Sequence, residues 1–161
     1  MKNLIPTINQ IIQFGLSSSL EVADKEKLLE QNLVRLYSLY FDIAFEYDDA
    51  GYPDVDRSGL QDIRSHVQSN FPDFGLYYEM TAISDWDSAK VRPVGDAIDD
   101  LSDIIRDLME IKWRYENNSP ANGLWYFQLI FPVHTRDHLL GLLKYLVLLQ
   151  YAEVEDWPGG R

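Results

Sequence analysis

Asp99, Asp100 and Asp103 spell DDLSD, and Asp107 follows one helical turn later. Carboxylates at this spacing project from one side of a helix and offer hard oxygen ligands to a cation. The pattern fits the DDxxD motif with which isoprenoid synthases hold Mg²⁺ against a diphosphate. In all-helical nucleotide pyrophosphatases, acidic pairs on two helices do the same work. Both designs need a second acidic helix opposite the first, and here no ExxE is present; Asp42 and Glu46 are the nearest substitutes. The expectation is therefore a carboxylate face that meets solvent or a partner, with no metal and no cofactor. Mg²⁺ held by Asp99, Asp100, Asp103 and Asp107 is the alternative.

His134 and His138 are four residues apart and share a helical face, with Asp137 beside them. Two imidazoles can take Zn²⁺, but a site needs a third ligand and groups that orient the rings. HExxH is missing because no Glu follows His134. The pair reads as capping or surface polarity. Nucleophilic catalysis has no support, with no GxSxG elbow and no cysteine, and no phosphate-cradling glycine loop is present. Trp125, Tyr126 and Phe127 are consecutive, so on a helix they point three ways and serve packing more readily than one pocket.

These residues must be positioned by helices, since apolar residues recur at helical spacing nearly throughout. Pro6 introduces a first amphipathic helix with Ile8, Ile11, Ile12 and Leu16. Leu28, Leu29, Leu33, Leu36, Tyr37, Tyr40, Phe41 and Ala44 predict a second that ends near Tyr47. A third starts at Asp56 as N-cap and runs through Leu60, Ile63 and Val67 to the break at residues 70–72. Residues 74–80 are ambiguous and residues 81–93 read as a connection. The fourth helix, residues 96–115, sets Leu101, Ile104, Ile105, Leu108, Ile111 and Tyr115 opposite six acids: Asp96, Asp99, Asp100, Asp103, Asp107 and Glu110. The early acids also suit the N-terminal end of the helix dipole. Two apolar helices follow, at residues 124–131 and 135–151, separated by Pro132. They are expected at the centre of the bundle, with Trp125, Leu139, Leu142, Leu143 and Leu146 largely buried. The fold class is all-α, a single-domain bundle of six or more helices over residues 1–155, with a frayed tail at 156–161.

The stretch VGDAIDDLSDIIRDLMEI at residues 94–111, followed by ANGLWYFQLIF at 121–131, resembles an uncharacterised bacterial family, domain of unknown function 5063. In that family an acidic helix DDLxDIxxDL precedes an aromatic helix ALWxxQ. The matching positions are Asp99, Asp100, Leu101, Asp103, Ile104, Asp107 and Leu108, then Leu124, Trp125 and Gln128. The resemblance implies a helical bundle and a bacterial origin, and it carries no activity.

Charge narrows the function. Fourteen Lys and Arg stand against 26 Asp and Glu, a net −12. Such a surface repels nucleic-acid phosphates and anionic lipids and attracts basic proteins. The most apolar run, residues 139–149, contains Lys144 and falls well short of the roughly 20 residues that span a bilayer. The N-terminal segment lacks the apolar core of a signal peptide, and the absence of cysteine suits a reducing cytosol. Residues 48–56, DDAGYPDVD, form an exposed acidic loop, and tyrosine is enriched at interface hot spots. The leading expectation is an acidic protein-binding module, a bacterial immunity protein that neutralises a basic toxin such as a nuclease. Its contacts are Glu46, Tyr47, Asp48, Asp49, Tyr52, Asp54 and Asp56 in the loop, and Asp96, Asp99, Asp100, Asp103 and Asp107 on the stripe. A Mg²⁺-dependent hydrolase or nucleotide-binding enzyme and a helical scaffold or regulator are the alternatives.

Overall fold

In the computed structural model the described residues are 3–45, 47–48, 50–55, 60–78 and 93–152. The chain is mostly helical. Helix α1 (Leu4–Leu16) holds Pro6 in its first turn, where a backbone N–H has no helical partner to lose, and buries Leu4, Ile8, Ile11, Ile12 and Phe14. Helix α2 (Lys25–Asp42) buries Leu29, Leu33 and Leu36 at successive turns. It stops five residues before the expected Tyr47. The reason lies elsewhere in the chain: the Gln128 side-chain amide donates to the carbonyls of Tyr40 and Ile43, both at 3.0 Å, and so satisfies the helix end as the backbone turns extended at Ile43. Helix α3 (Ile63–Asn70) begins later than expected, after a short turn that holds Leu60; Asp56, the expected cap, lies outside the described residues. Its last residue, Asn70, is buried and closes the end of α1. The Asn70 amide donates to the carbonyls of Phe14 (2.9 Å) and Ser17 (2.6 Å), and its oxygen accepts from the Leu20 amide (3.0 Å).

The ambiguous segment contains a strand. β1 (Leu76–Tyr78) pairs antiparallel with β2 (Pro93–Asp96) in the register Leu76↔Asp96, Tyr77↔Gly95 and Tyr78↔Pro93. Of the connection expected at residues 81–93, residues 81–92 lie outside the described residues, as do residues 79–80 and residues 153–161, which include the tail expected to fray at 156–161.

Helix α4 (Ala97–Asn117) follows β2 directly, and α5 (Pro120–Ile130) starts behind the N-cap Ser119, whose hydroxyl accepts from the Asn122 amide. A π-turn (Phe131–Thr135) then leads straight into α6 (Arg136–Ala152). Pro132 therefore does not end the helix. The turn widens, the Arg136 amide reaches back to the Phe131 carbonyl, and the proline ring and its missing N–H are absorbed. Because α5, the π-turn and α6 are continuous, the described residues form five helical bodies, and the expected six or more are not found.

The centre of the bundle is α4, which packs against α1, α3, α5 and α6. The centre is therefore not at residues 124–151, where it was expected. Leu101, Ile104, Ile105, Leu108 and Ile111 are fully buried, and so are Leu139, Leu142 and Leu146 of α6. Trp125 and Leu143 are only partly buried, while Leu140, Val147 and Leu148 are exposed. An amphipathic helix can occupy the middle because its polar side is also covered, by polar partners. Among the described residues no helix is long and apolar enough to cross a membrane.

Candidate functional site

The polar side of α4 begins at its N-cap. Asp96 accepts from the amides of Ile98 (3.0 Å) and Asp99 (3.4 Å) and pairs with the Arg64 guanidinium at 2.8 Å. Burial works against its charge, but the guanidinium and the two amides outweigh it and hold the carboxyl below its usual range. The same Arg64 binds Asp99. Two acids of the stripe thus tie α4 to α3.

One turn on, Asp100 is 8% exposed. Its two oxygens accept from the Tyr77 hydroxyl (2.6 Å) and bond Nδ1 of His138 (2.8 Å). The approach of Tyr77 depends on its strand partner: a Cβ on Gly95 would lie 2.1 Å from the Tyr77 ring, so only glycine lets that ring cross β2 and reach α4. The Asp100 hydrogen bond raises the His138 pKa above its ordinary value, burial opposes it, and the negative charges of Asp100, Asp103 and Asp107 add to the rise.

Asp107 repeats the arrangement a turn further. One oxygen bonds Nδ1 of His134 (2.8 Å) and accepts from the Thr135 hydroxyl (2.7 Å). Between the two lies Asp103, with Oδ1 on the Arg106 guanidinium (2.5 Å) and Oδ2 at 3.8 Å from Nε2 of His138. The imidazoles of His134 and His138 meet edge to face with centroids 4.7 Å apart. Beside them opens a cleft of about 480 Å³, lined by residues that include Arg106, Asp107, Glu110, Tyr126 and His134. The Tyr126 phenol there is pushed up to about 12, by burial first and then by Glu110.

The carboxylates expected on one face that meets solvent or a partner thus take partners on two sides of α4. Asp99 is exposed on α3's side, whereas Asp100, Asp103 and Asp107 turn toward α6 and the π-turn. The four aspartates of the Mg²⁺ reading do not converge on one point: Asp99 and Asp100 are committed to different partners. Among the described residues, the group of three that brings donor atoms together is Asp103, His134 and His138. Asp137, expected beside the histidines, is exposed and outside that group.

The second acidic region follows α2. Asp48 accepts from the Ala50 amide (3.2 Å), the Tyr52 hydroxyl (2.9 Å) and the Ser119 hydroxyl (2.6 Å), which fastens the loop to the N-cap of α5. These hydrogen bonds, Ser119 first, hold the Asp48 carboxyl below its usual range. Asp48 and the half-buried Tyr52 are in the first place loop fasteners. Tyr47 packs edge-on against Trp125 with centroids 5.4 Å apart and leaves 68% of its surface exposed. Phe41 (68%) and Phe45 (48%) are exposed as well, although helical spacing had placed Phe41 on the buried face of α2. Asp42 and Asp54 are exposed beside them in sequence, while Glu46, Asp49 and Asp56 lie outside the described residues.

No protein-family model, curated protein or solved structure matches the chain. The functional reading therefore rests on these two regions. Sequence reasoning missed Tyr77, Gly95 and Thr135 as parts of the α4 network, and Phe45 at the loop. A signal for the network was present: Asp103 and Asp107 on one helix and His134 and His138 on another share the same four-residue pitch, so two ladders of matching spacing can face each other rung by rung.

Proposed function

We propose that this chain is an acidic protein-binding module, a bacterial immunity protein that binds and neutralises a basic toxin such as a nuclease in the cytosol. The observation that carries the reading is the exposure of Phe41, Phe45 and Tyr47, with Asp42, Asp48 and Asp54 near them in sequence. Binding energy at an interface concentrates in a few desolvated aromatic anchors, and surrounding charge sets partner choice and encounter rate. A nuclease presents a basic cleft to phosphate, so a chain of net −12 is drawn to it at long range and holds it through the aromatics. Asp48 and Tyr52 support the contact by fixing the loop, Asp54 supplies charge, and Glu46, Asp49 and Asp56 are the further acids of this stretch of sequence. On the stripe, Asp99 is the exposed acid that would meet a partner, while Asp96, Asp100, Asp103 and Asp107 are engaged with other residues of the chain. Kinship with domain of unknown function 5063 belongs to the same proposal and is supported by the DDLSD and LWYFQ segments alone.

Coexpression with a basic toxin domain encoded beside the gene tests the proposal. The wild-type chain is expected to restore growth, and Phe41→Ser combined with Tyr47→Ala to abolish protection at unchanged protein level. Growth arrest that persists with the wild-type chain, or protection that survives the double substitution, contradicts it.

A further inference from the structure

We propose that His134, His138 and Asp103 form a binding site for one Zn²⁺-like transition-metal dication, with Asp107 and Asp100 orienting the two imidazoles. One donor atom from each of the three residues lies within 4.8 Å of the others, and Nε2 of His138 is already 3.8 Å from Oδ2 of Asp103. Zinc holds nitrogen and oxygen ligands at about 2.0–2.1 Å, so two ligands of one ion lie at most about 4.2 Å apart and closer in a tetrahedron. All three side chains have some solvent exposure, and to hold one ion their donor atoms would draw in from within 4.8 Å to within about 4.2 Å of one another.

The second, independent observation is the orientation of the rings. Each imidazole spends Nδ1 on a carboxylate at 2.8 Å, His134 on Asp107 and His138 on Asp100, which leaves Nε2 of each as the free donor. Carboxylate-backed histidine is the arrangement that fixes ring direction and raises ligand basicity in zinc sites. The carboxylates are themselves held, Asp107 by the Thr135 hydroxyl and Asp100 by the Tyr77 hydroxyl. Arg106 takes Oδ1 of Asp103, so Oδ2 is the oxygen left for a metal.

Charge agrees with a dication. Asp100, Asp103 and Asp107 against Arg106 leave two negative charges on the cluster when both imidazoles are neutral. Two imidazoles with one carboxylate favour zinc, cobalt, nickel or iron over Mg²⁺, which prefers oxygen and water. The inference thus differs from a Mg²⁺ centre on the aspartates of the stripe. Three protein ligands leave a coordination position for water or an anion, and His134 and Arg106 both line the adjacent cleft. The protein-binding reading does not depend on this site.

Titration of the whole chain with Zn²⁺ by calorimetry, and with Co²⁺ by visible absorption, tests the proposal. One ion per chain is expected, with Co²⁺ bands that report nitrogen and oxygen ligands. Asp103→Asn and His134→Gln should each weaken Zn²⁺ binding at least tenfold, and Asp107→Asn about 10- to 100-fold by loss of ring orientation. His66→Gln is the control, because His66 lies on α3 and bonds the Gly15 carbonyl, and it should leave binding unchanged. Circular dichroism confirms that each variant is folded, and any that is not is replaced by His138→Gln, with the same loss expected. Absence of saturable binding at micromolar Zn²⁺, or affinity that is indifferent to the site variants or falls equally in the control, overturns it.

Discussion

Asp100 on α4 and Asp54 in the loop after α2 belong to equally acidic stretches of sequence, yet Asp100 is buried between Tyr77 and His138 while Asp54 is exposed. The aromatics show the reverse contrast. Tyr77 is buried at the α4 network, whereas Phe41, Phe45 and Tyr47 face outward beside the loop. Run by run, acidity marks a surface only when no other element supplies the donors that let a carboxylate be buried. At α4 those donors arrive from β1, the π-turn and α6. At the loop the acid that does find partners, Asp48, spends its hydrogen bonds on holding the loop in place, and the aromatics beside it stay exposed.

The sharpest way to break this contrast is at Gly95. A methyl group there collides with the Tyr77 ring, and Gly95→Ala is expected to cost roughly 3 kcal/mol in urea unfolding, the upper end for overpacking. A loss under about 0.5 kcal/mol, ordinary for surface positions, would mean that Tyr77 is not anchored to α4. Next comes a pair of matched substitutions. Asp100→Ala removes the buried carboxylate that bonds both the Tyr77 hydroxyl and the His138 ring and is expected to destabilise by about 2 kcal/mol, whereas Asp54→Asn should stay within about 0.5 kcal/mol. Equal effects would erase the distinction between the regions.

A smaller effect concerns pH. The folded-state pKa of His138 is raised, so its contribution to stability is full below the unfolded value of about 6.5 and fades as pH rises through the folded one. In chelator-treated protein, the stability difference between wild type and His138→Gln should be larger at pH 6 than at pH 9. A difference that grows with pH would mean that Asp100 does not hold the imidazolium. Smallest of all, Phe41→Ser should move the urea midpoint very little, since that side chain is already mostly in water.

Much of the fold was legible because burial writes a periodic pattern. The apolar stripe of α4, residues Leu101, Ile104, Ile105, Leu108 and Ile111, is buried as its spacing predicted, and Leu139, Leu142 and Leu146 follow suit. Failures occurred where a distant residue decides a local outcome. Gln128 ends α2, Gly95 and Tyr77 pair as strands too short to show alternation, and Pro132 sits in a π-turn that looks in sequence like a helix break. The candidate site was half visible. His134 and His138 could be read as a pair, but their third partner, Asp103, is on another helix, and its acid-rich context pointed to solvent. Phe41 went the other way: helical spacing placed it on the apolar face, yet it lies inside α2 and is exposed.

On the proposed function the two acidic regions divide their work: the loop meets the partner and the α4 network does not. Association and dissociation rates with a basic toxin domain, measured side by side for two variants, test it most directly. Phe41→Ser with Tyr47→Ala is expected to raise the off-rate about tenfold or more, as loss of aromatic anchors worth 1.4 kcal/mol or above would. Asp103→Asn should leave that off-rate unchanged. An off-rate that responds to Asp103→Asn and ignores the aromatic substitutions would refute that division.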